Sequence, residues 1–308
     1  MGAEEQQPTA VRGLRILDDI VCGVDGSRHA DEVVRQAASL AGADGMLTIV
    51  AVTAVHRAVE GTQRVAALAP ARARRALDRA ERIAAEAGVH AVSEIDERSP
   101  VGDVLLEHGG AHGLLAIGPP SMSRIAHILV GGAATTAAHA LPASLLIARR
   151  APAHNRFGEH IMVASDGLER SDDLVDFAAG FAQEHDSSLT LLHVIHGESS
   201  HHPTRIAAQV RRVTGALGER ARVRIEPGRA SGLIVKTAVA ERCSLIIVSS
   251  RRVGGIRALG SVSERVVHEA PCSVLVVRPE DLHAKARPAS ASSAPPNGVR
   301  ESADPADA

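Results

Sequence analysis

Residues Ile20–Ser27 read IVCGVDGS, and residues Ile161–Leu168 read IMVASDGL. Each is an apolar run that ends in Asp-Gly. Apolar residues at helical spacing follow both: Val33, Val34, Ala37, Leu40 and Ala41 after the first, and Leu174, Phe177, Ala178 and Phe181 after the second. A second apolar run comes next, MLTIVAV over Met46–Val52 and SLTLLHVI over Ser188–Ile195. Asp25 to Val52 spans 27 positions and Asp166 to Val194 spans 28. This near-equality marks a duplicated unit.

The repeat continues outward. An Arg-rich helical stretch covers Val65–Ala87, and a shorter one places Ile206, Val210, Val213 and Leu217 on one face. Short strands follow at His90–Ile95 and Ala221–Glu226. A third helix starts at SPVGDVL, with Ser99 suited to the N-cap and Pro100 to the first helical position. Its counterpart starts near Ser231. Fourth strands read GLLAIG (Gly113–Gly118) and SLIIVS (Ser244–Ser249). Fifth strands read ASLLIAR (Ala143–Arg149) and CSVLVVR (Cys272–Arg278). Apolar runs that are continuous, and that alternate with helices, predict parallel sheets covered on both faces. The expected architecture is α/β, with two tandem doubly wound domains. A leader covers 1–15, the first domain 16–150, a linker 151–157 and the second domain 158–279. The tail 280–308 is rich in Ala, Ser and Pro and is expected to be disordered.

Composition narrows the function. With 45% hydrophobic and 23% charged residues, the chain of 308 has material for real cores. It has three Phe, no Trp and no Tyr, so no aromatic platform for stacking bases exists. A formal net charge of -2 gives no global attraction to nucleic acid or to a membrane surface. Cys22, Cys243 and Cys272 form no C-x-x-C pair, and MGAEEQQPTAVRGLRILDD, residues 1–19, holds no apolar core of signal-peptide length. A cytoplasmic protein with reduced thiols is expected. The histidines His193, His196, His201 and His202 lack the carboxylate or Cys partners of a zinc pattern. No G-x-S-x-G elbow, Walker A sequence or kinase signature appears. At most slow ATP hydrolysis is expected.

The Asp-Gly turns, together with GSVSERVVHEAPCSVLVVRP over residues 260–279, resemble the universal stress protein family in tandem form. The resemblance covers about residues 16–279. It implies a five-stranded parallel sheet of order 3-2-1-4-5 in each half. It also implies halves packed as an intrachain pseudo-dimer whose fifth strands pair, and it leaves room for a homo-oligomer. The family's ATP-binding branch carries Gly-x2-Gly-x9-Gly-(Ser/Thr). There the Asp after strand one and a Val after strand two hold the adenine and ribose end. Carried onto this chain, the resemblance implies a ligand, ATP or a related adenine nucleotide with or without Mg2+, at two sets of residues. In the first half these are Asp25, Gly26, Val52, Gly118, Ser121 and Gly131. In the second they are Asp166, Gly167, Val194, Ser249, Gly260, Ser261 and Ser263.

Neither half keeps the whole motif. After Gly118 come Pro119, Pro120 and Ser121, and Gly132 stands where the hydroxyl belongs. The prolines remove N–H donors. The second half keeps Gly260, Ser261 and Ser263, but Ser249 and Arg252 replace the first two glycines. Ser261 with Glu264 also reads as a capping box. Arg251, Arg252 and Arg257 are substitutes for the lost glycines or a solvated face. On these grounds the second half is the favoured phosphate site. The output expected is regulation in a stress response, through an unknown protein partner. The alternative is a degenerate member that binds no nucleotide and serves as an interaction scaffold.

Overall fold

The computed structural model describes residues 15–53, 68–97, 99, 101–119, 143–150, 156–195, 202–250 and 261–283. The first half opens with a helical turn α1 (Arg15–Asp18) and strand β1 (Asp19–Val24). Then follow α2 (Arg28–Ala41), β2 (Met46–Val52), α3 (Pro70–Glu86), β3 (His90–Asp96), α4 (Val101–Ala111), β4 (Leu114–Ile117) and β5 (Ser144–Ile147). The second half runs β6 (His160–Ser165), α5 (Asp172–Glu184), β7 (Ser188–Ile195), α6 (Pro203–Leu217), β8 (Ala221–Pro227), α7 (Ala230–Ala240), β9 (Leu245–Ser249), α8 (Ser261–Glu269) and β10 (Ser273–Val277).

All ten strands form one sheet, ordered β3-β2-β1-β4-β5-β10-β9-β6-β7-β8. Each half therefore has the order 3-2-1-4-5, and its own strands are parallel. The halves meet where β5 and β10 pair antiparallel, with Leu146 opposite Leu275. Side chains alternate across the sheet. Cys22, Ile49, Leu191, Leu146 and Leu275 share one apolar layer with α2, α3, α5 and α6. Val21, Val50, Leu192, Val274 and Val276 face the opposite layer with α4, α7 and α8. Gly23 serves this second layer, because a Cβ there would stand 3.0 Å from the Leu105 side chain of α4.

The seam is tied reciprocally by its ends. The Arg149 N–H donates to Ser273 Oγ at 2.9 Å, and the Arg278 N–H donates to Ser144 Oγ at 3.0 Å. The Ser273 hydroxyl donates onward to Gln36 and the Ser144 hydroxyl to Asp281, each at 2.7 Å. Asp281 lies in the 3-10 turn Pro279–Leu282, and Leu282 of that turn is buried in the first layer.

The sequence reading of disorder from residue 280 onward is thus corrected for 280–283: one buried Leu and one anchored carboxylate suffice to hold them. The described part of the helix after β3 begins at Val101, two residues after Ser99. The N–H of Ser99 donates to Asp96 Oδ1 at 2.8 Å, so Asp96 supplies the carboxylate at this turn. Pro100 lies outside the described residues.

At the opposite end of the strands from the Asp-Gly turns, each half carries a histidine–carboxylate contact, with the two residue types in reversed places. Asp19 opens β1 and meets His112, just past α4. His160 opens β6 and meets Glu241, just past α7, at 3.6 Å. Beside the first pair, His108 of α4 reaches Glu94 of β3 at 2.6 Å. Their hydrogen bond raises the His108 pKa and lowers that of Glu94. The histidine contribution is full below its ordinary value of about 6.5 and fades as pH rises through the folded value. The Glu94 contribution fades as pH falls below its ordinary value of about 4.5. His108→Gln is therefore expected to cost more stability near about pH 5.5 than near about pH 8.5. Urea unfolding at the two pH values checks this, and an equal cost refutes it.

Candidate functional site

In an open parallel sheet, ligands bind beyond the carboxyl ends of the strands where the strand order reverses. Here that place lies between β1 and β4 in one half and between β6 and β9 in the other. The Asp-Gly turns and the residues Gly118 and Ser249 stand there. Both turns place glycine at φ +70, the left-handed region that side chains avoid. Ser121, Gly131 and Gly260, with Arg251, Arg252 and Arg257, lie outside the described residues.

In the first half Asp25 is exposed, and its Oδ1 accepts the Ser27 N–H at 3.0 Å. Ser27 caps α2 by accepting the Ala30 N–H at 3.2 Å. The start of α2 is thereby fixed, and the second carboxylate oxygen of Asp25 has no partner among the described residues. Over the turn lies α3. A Cβ on Gly26 would stand 3.4 Å from Ala76 and 3.6 Å from Arg72 Nε. Arg72 is exposed and forms no ion pair among the described residues. Val52 is buried in the layer that holds Ile117. Among the described residues a carboxylate oxygen and a guanidinium without ion partners thus flank one glycine turn, one able to accept from hydroxyls and the other able to take an oxyanion.

The second half fills the same places differently. Asp166 accepts from the Leu168 N–H at 3.1 Å, the Ser171 hydroxyl at 2.7 Å and the Arg170 guanidinium at 2.6 Å. Burial works against its charge, but the Ser171, Leu168 and Arg170 donors outweigh it and hold the carboxyl below its usual range. Counting from the prolines that open α3 and α6, Arg205 is the counterpart of Arg72. It pairs with Asp172 at 2.7 Å and with Glu169 at 3.6 Å. A Cβ on Gly167 would stand 3.0 Å from Ile206 Cγ1. Gly167→Ala is therefore expected to cost more than the roughly 1–2 kcal/mol of a left-handed alanine. Gly26→Ala, with its nearest atom at 3.4 Å, is expected to cost no more than that conformational amount. Thermal unfolding of both variants checks the difference.

Of the second half's hydroxyls, Ser261 is exposed and opens the described part of α8. Ser263 is 3% exposed and shares the buried face of α8 with Val266 and Val267. The Ser249 hydroxyl donates to the Ser250 carbonyl. Val194 is half-buried against the same layer as Val248. All three cysteines are buried. Burial pushes the Cys22 and Cys272 thiols up to about 12 and raises Cys243 as well, so they stay protonated at neutral pH. Among the described residues no cluster suits a metal ion, and no helix is long and apolar enough to cross a membrane.

Sequence reading missed Arg72, which falls in a stretch noted only for its arginines. The matching Pro70 and Pro203 set the two helices in register, but nothing in the sequence places Arg72 over the turn.

Comparison with known proteins agrees with this architecture. A model described as the Universal stress protein family matches residues 17–149 and again residues 158–278. A protein of Staphylococcus aureus strain USA300, named as a universal stress protein, is 29% identical over 151 residues, which cover 42% of this chain and 90% of its own. The crystal structure of a universal stress protein from Archaeoglobus fulgidus DSM 4304 is similar over 85% of this chain and 97% of its own, at 18% identity and a TM-score of 0.61. That likeness is one of fold. A universal stress protein solved in complex with cAMP covers 39% of this chain and 97% of its own, at 22% identity and a TM-score of 0.35.

Proposed function

We propose that this chain, which belongs to the universal stress protein family in tandem form, binds an adenine nucleotide through its first half and acts as a regulator in a stress response. The observation that carries the reading is the pair of open charges at Gly26. Asp25 accepts the ribose hydroxyls, and Arg72 takes a phosphate oxygen that the proline-bearing segment after Gly118 is poorly equipped to hold. Val52 lines the apolar side of the base. The proposed ligand is ATP or a related adenine nucleotide, with Mg2+ as a counter-ion to its phosphates.

The sequence favours the second half, where Gly260 and Ser261 survive. We rank the first half ahead of it, because Asp166 and Arg205 already have charged partners within the chain. In this reading the second half is the module that meets a protein partner, and the protein works in the cytoplasm.

The chain has no Trp and no Tyr, so bound nucleotide dominates its near-ultraviolet absorbance. The purified protein is expected to release ATP, ADP or AMP on acid treatment, or to bind added ATP in calorimetry. A hydrogen bond to a charged group contributes about 1.5–3 kcal/mol, so Asp25→Ala is expected to weaken binding roughly 10- to 150-fold. Asp166→Ala is expected to lower thermal stability and to alter affinity far less. No heat with millimolar ATP refutes nucleotide binding. An equal loss of affinity in Asp166→Ala refutes the ranking of the halves.

A further inference from the structure

His193 lies in β7, paired in register with Ser165 of β6 and Ile225 of β8. It is 1% exposed, and neither ring nitrogen makes a well-formed hydrogen bond among the described residues, the Ser165 backbone being near enough only to favour a charged ring. Its Nδ1 lies 3.8 Å from where a Cβ on Gly167 would stand, and Ile206 of α6 closes over the same glycine. Buried polar groups are as a rule satisfied, and an orphan pair on one ring asks for an explanation. In the first half the corresponding position is Ala51, opposite Val24, so the polar site belongs to the second half alone.

We propose that His193 is a proton-operated switch beneath the Asp166–Gly167 turn, whose protonation releases α6 from that turn. The charged groups around it leave an imidazolium without an open carboxylate. Just past β6 the facing charge is Asp166, already engaged by Ser171, Leu168 and Arg170. From α6 come Ile206 and the Gln209 amide, whose Oε1 accepts from Ser165. Arg205 and Arg212 of α6 are turned to Asp172 and Asp176 of α5, with Glu169 also on Arg205. Glu226 of β8 is paired with Arg224. Burial keeps the His193 pKa below its ordinary range, although the Ser165 backbone and the Asp166 carboxylate both favour the charged ring. The unfolded chain therefore takes up the proton more readily. The folded state is favoured fully above the ordinary histidine value of about 6.5, and the advantage is lost as pH falls below it.

The test is hydrogen exchange on the full chain at about pH 7.5 and about pH 5.5, corrected for intrinsic rates. The opening of residues 203–217 is expected to rise by up to about tenfold per pH unit, while residues 70–86 of the first half show no such rise. His193→Leu, an apolar replacement of similar size, is expected to abolish the pH-dependent part. His160, at the far end of the strands, is also held below its usual range by burial, so His160→Gln serves as the control and is expected to leave the response at 203–217 in place. Persistence of the response in His193→Leu overturns the proposal. If that variant does not fold, the titration of the His193 ring in the wild type by NMR decides. An ordinary midpoint, or titration with no change at 203–217, overturns it too.

Discussion

Leu146→Ala and Leu275→Ala are each expected to lower the free energy of unfolding by about 2–5 kcal/mol, with the double variant departing from the sum. Both side chains are fully buried, and they stand opposite one another where β5 meets β10. Truncating either removes apolar surface from a dry layer and leaves a void that neighbouring strands, held by their own ladders, cannot close. The second truncation enlarges a void already present. That shared void is the reason for non-additivity: the double variant is expected to cost less than the two single costs together, by about 0.5–3 kcal/mol. The measurement is urea unfolding followed by circular dichroism, since no Trp reports on this chain. Single costs under about 1 kcal/mol would mean that the seam is not a packed interior.

The second large effect is expected from Asp172→Ala. Asp172 of α5 accepts from Arg205 at 2.7 Å, pairs with Arg212 at 2.9 Å and takes the Gln209 amide. Gln209 is fully buried and accepts from Ser165, which itself accepts the Gly167 N–H at 3.0 Å. Removing the carboxylate leaves the Gln209 amide without this acceptor in a dry interior and takes a partner from two guanidinium groups. A loss of about 3 kcal/mol is expected. The first half supplies the control. Asp31, the counterpart of Asp172, pairs with Arg79 at 2.9 Å, where the arginine is half-exposed. Asp31→Ala is expected to cost at most about 1 kcal/mol. Equal costs would show that the buried chain Ser165–Gln209–Asp172 contributes nothing of its own.

Strands were the most legible part of this sequence, because runs such as SLIIVS and CSVLVVR are buried on both faces and carry a strong apolar signal. The Asp-Gly turns were legible for a different reason: a glycine at the end of an apolar run marks a backbone that other residues resist. Ser263 illustrates a residue read chemically where spacing had an answer. It precedes Val266 and Val267 by three and four positions, which puts it on the buried side of α8. Arg72, the His193 site and the Arg170 bond to Asp166 were not legible. Each depends on which side chain of one element lies over a turn of another, and helical periodicity reports a face, not its distance from a distant turn. The Pro279–Leu282 turn escaped because a lone Leu in a Pro- and Ser-rich stretch carries no periodicity at all.

Pairing β5 with β10 inside one polypeptide has a consequence for how the two Asp-Gly turns were free to change. An assembly of two identical subunits must place the same residues on both sides of its axis. Here the two halves are joined through residues 148–159 of one chain, so their pairing is fixed at one to one. A short tether holds its ends at about millimolar effective concentration, and dilution does not separate or shuffle the two sides. Among the described residues Asp25 keeps an oxygen free while Asp166 is occupied from within, and Asp19–His112 answers to His160–Glu241 with the residue types exchanged, because no substitution on one side is copied to the other.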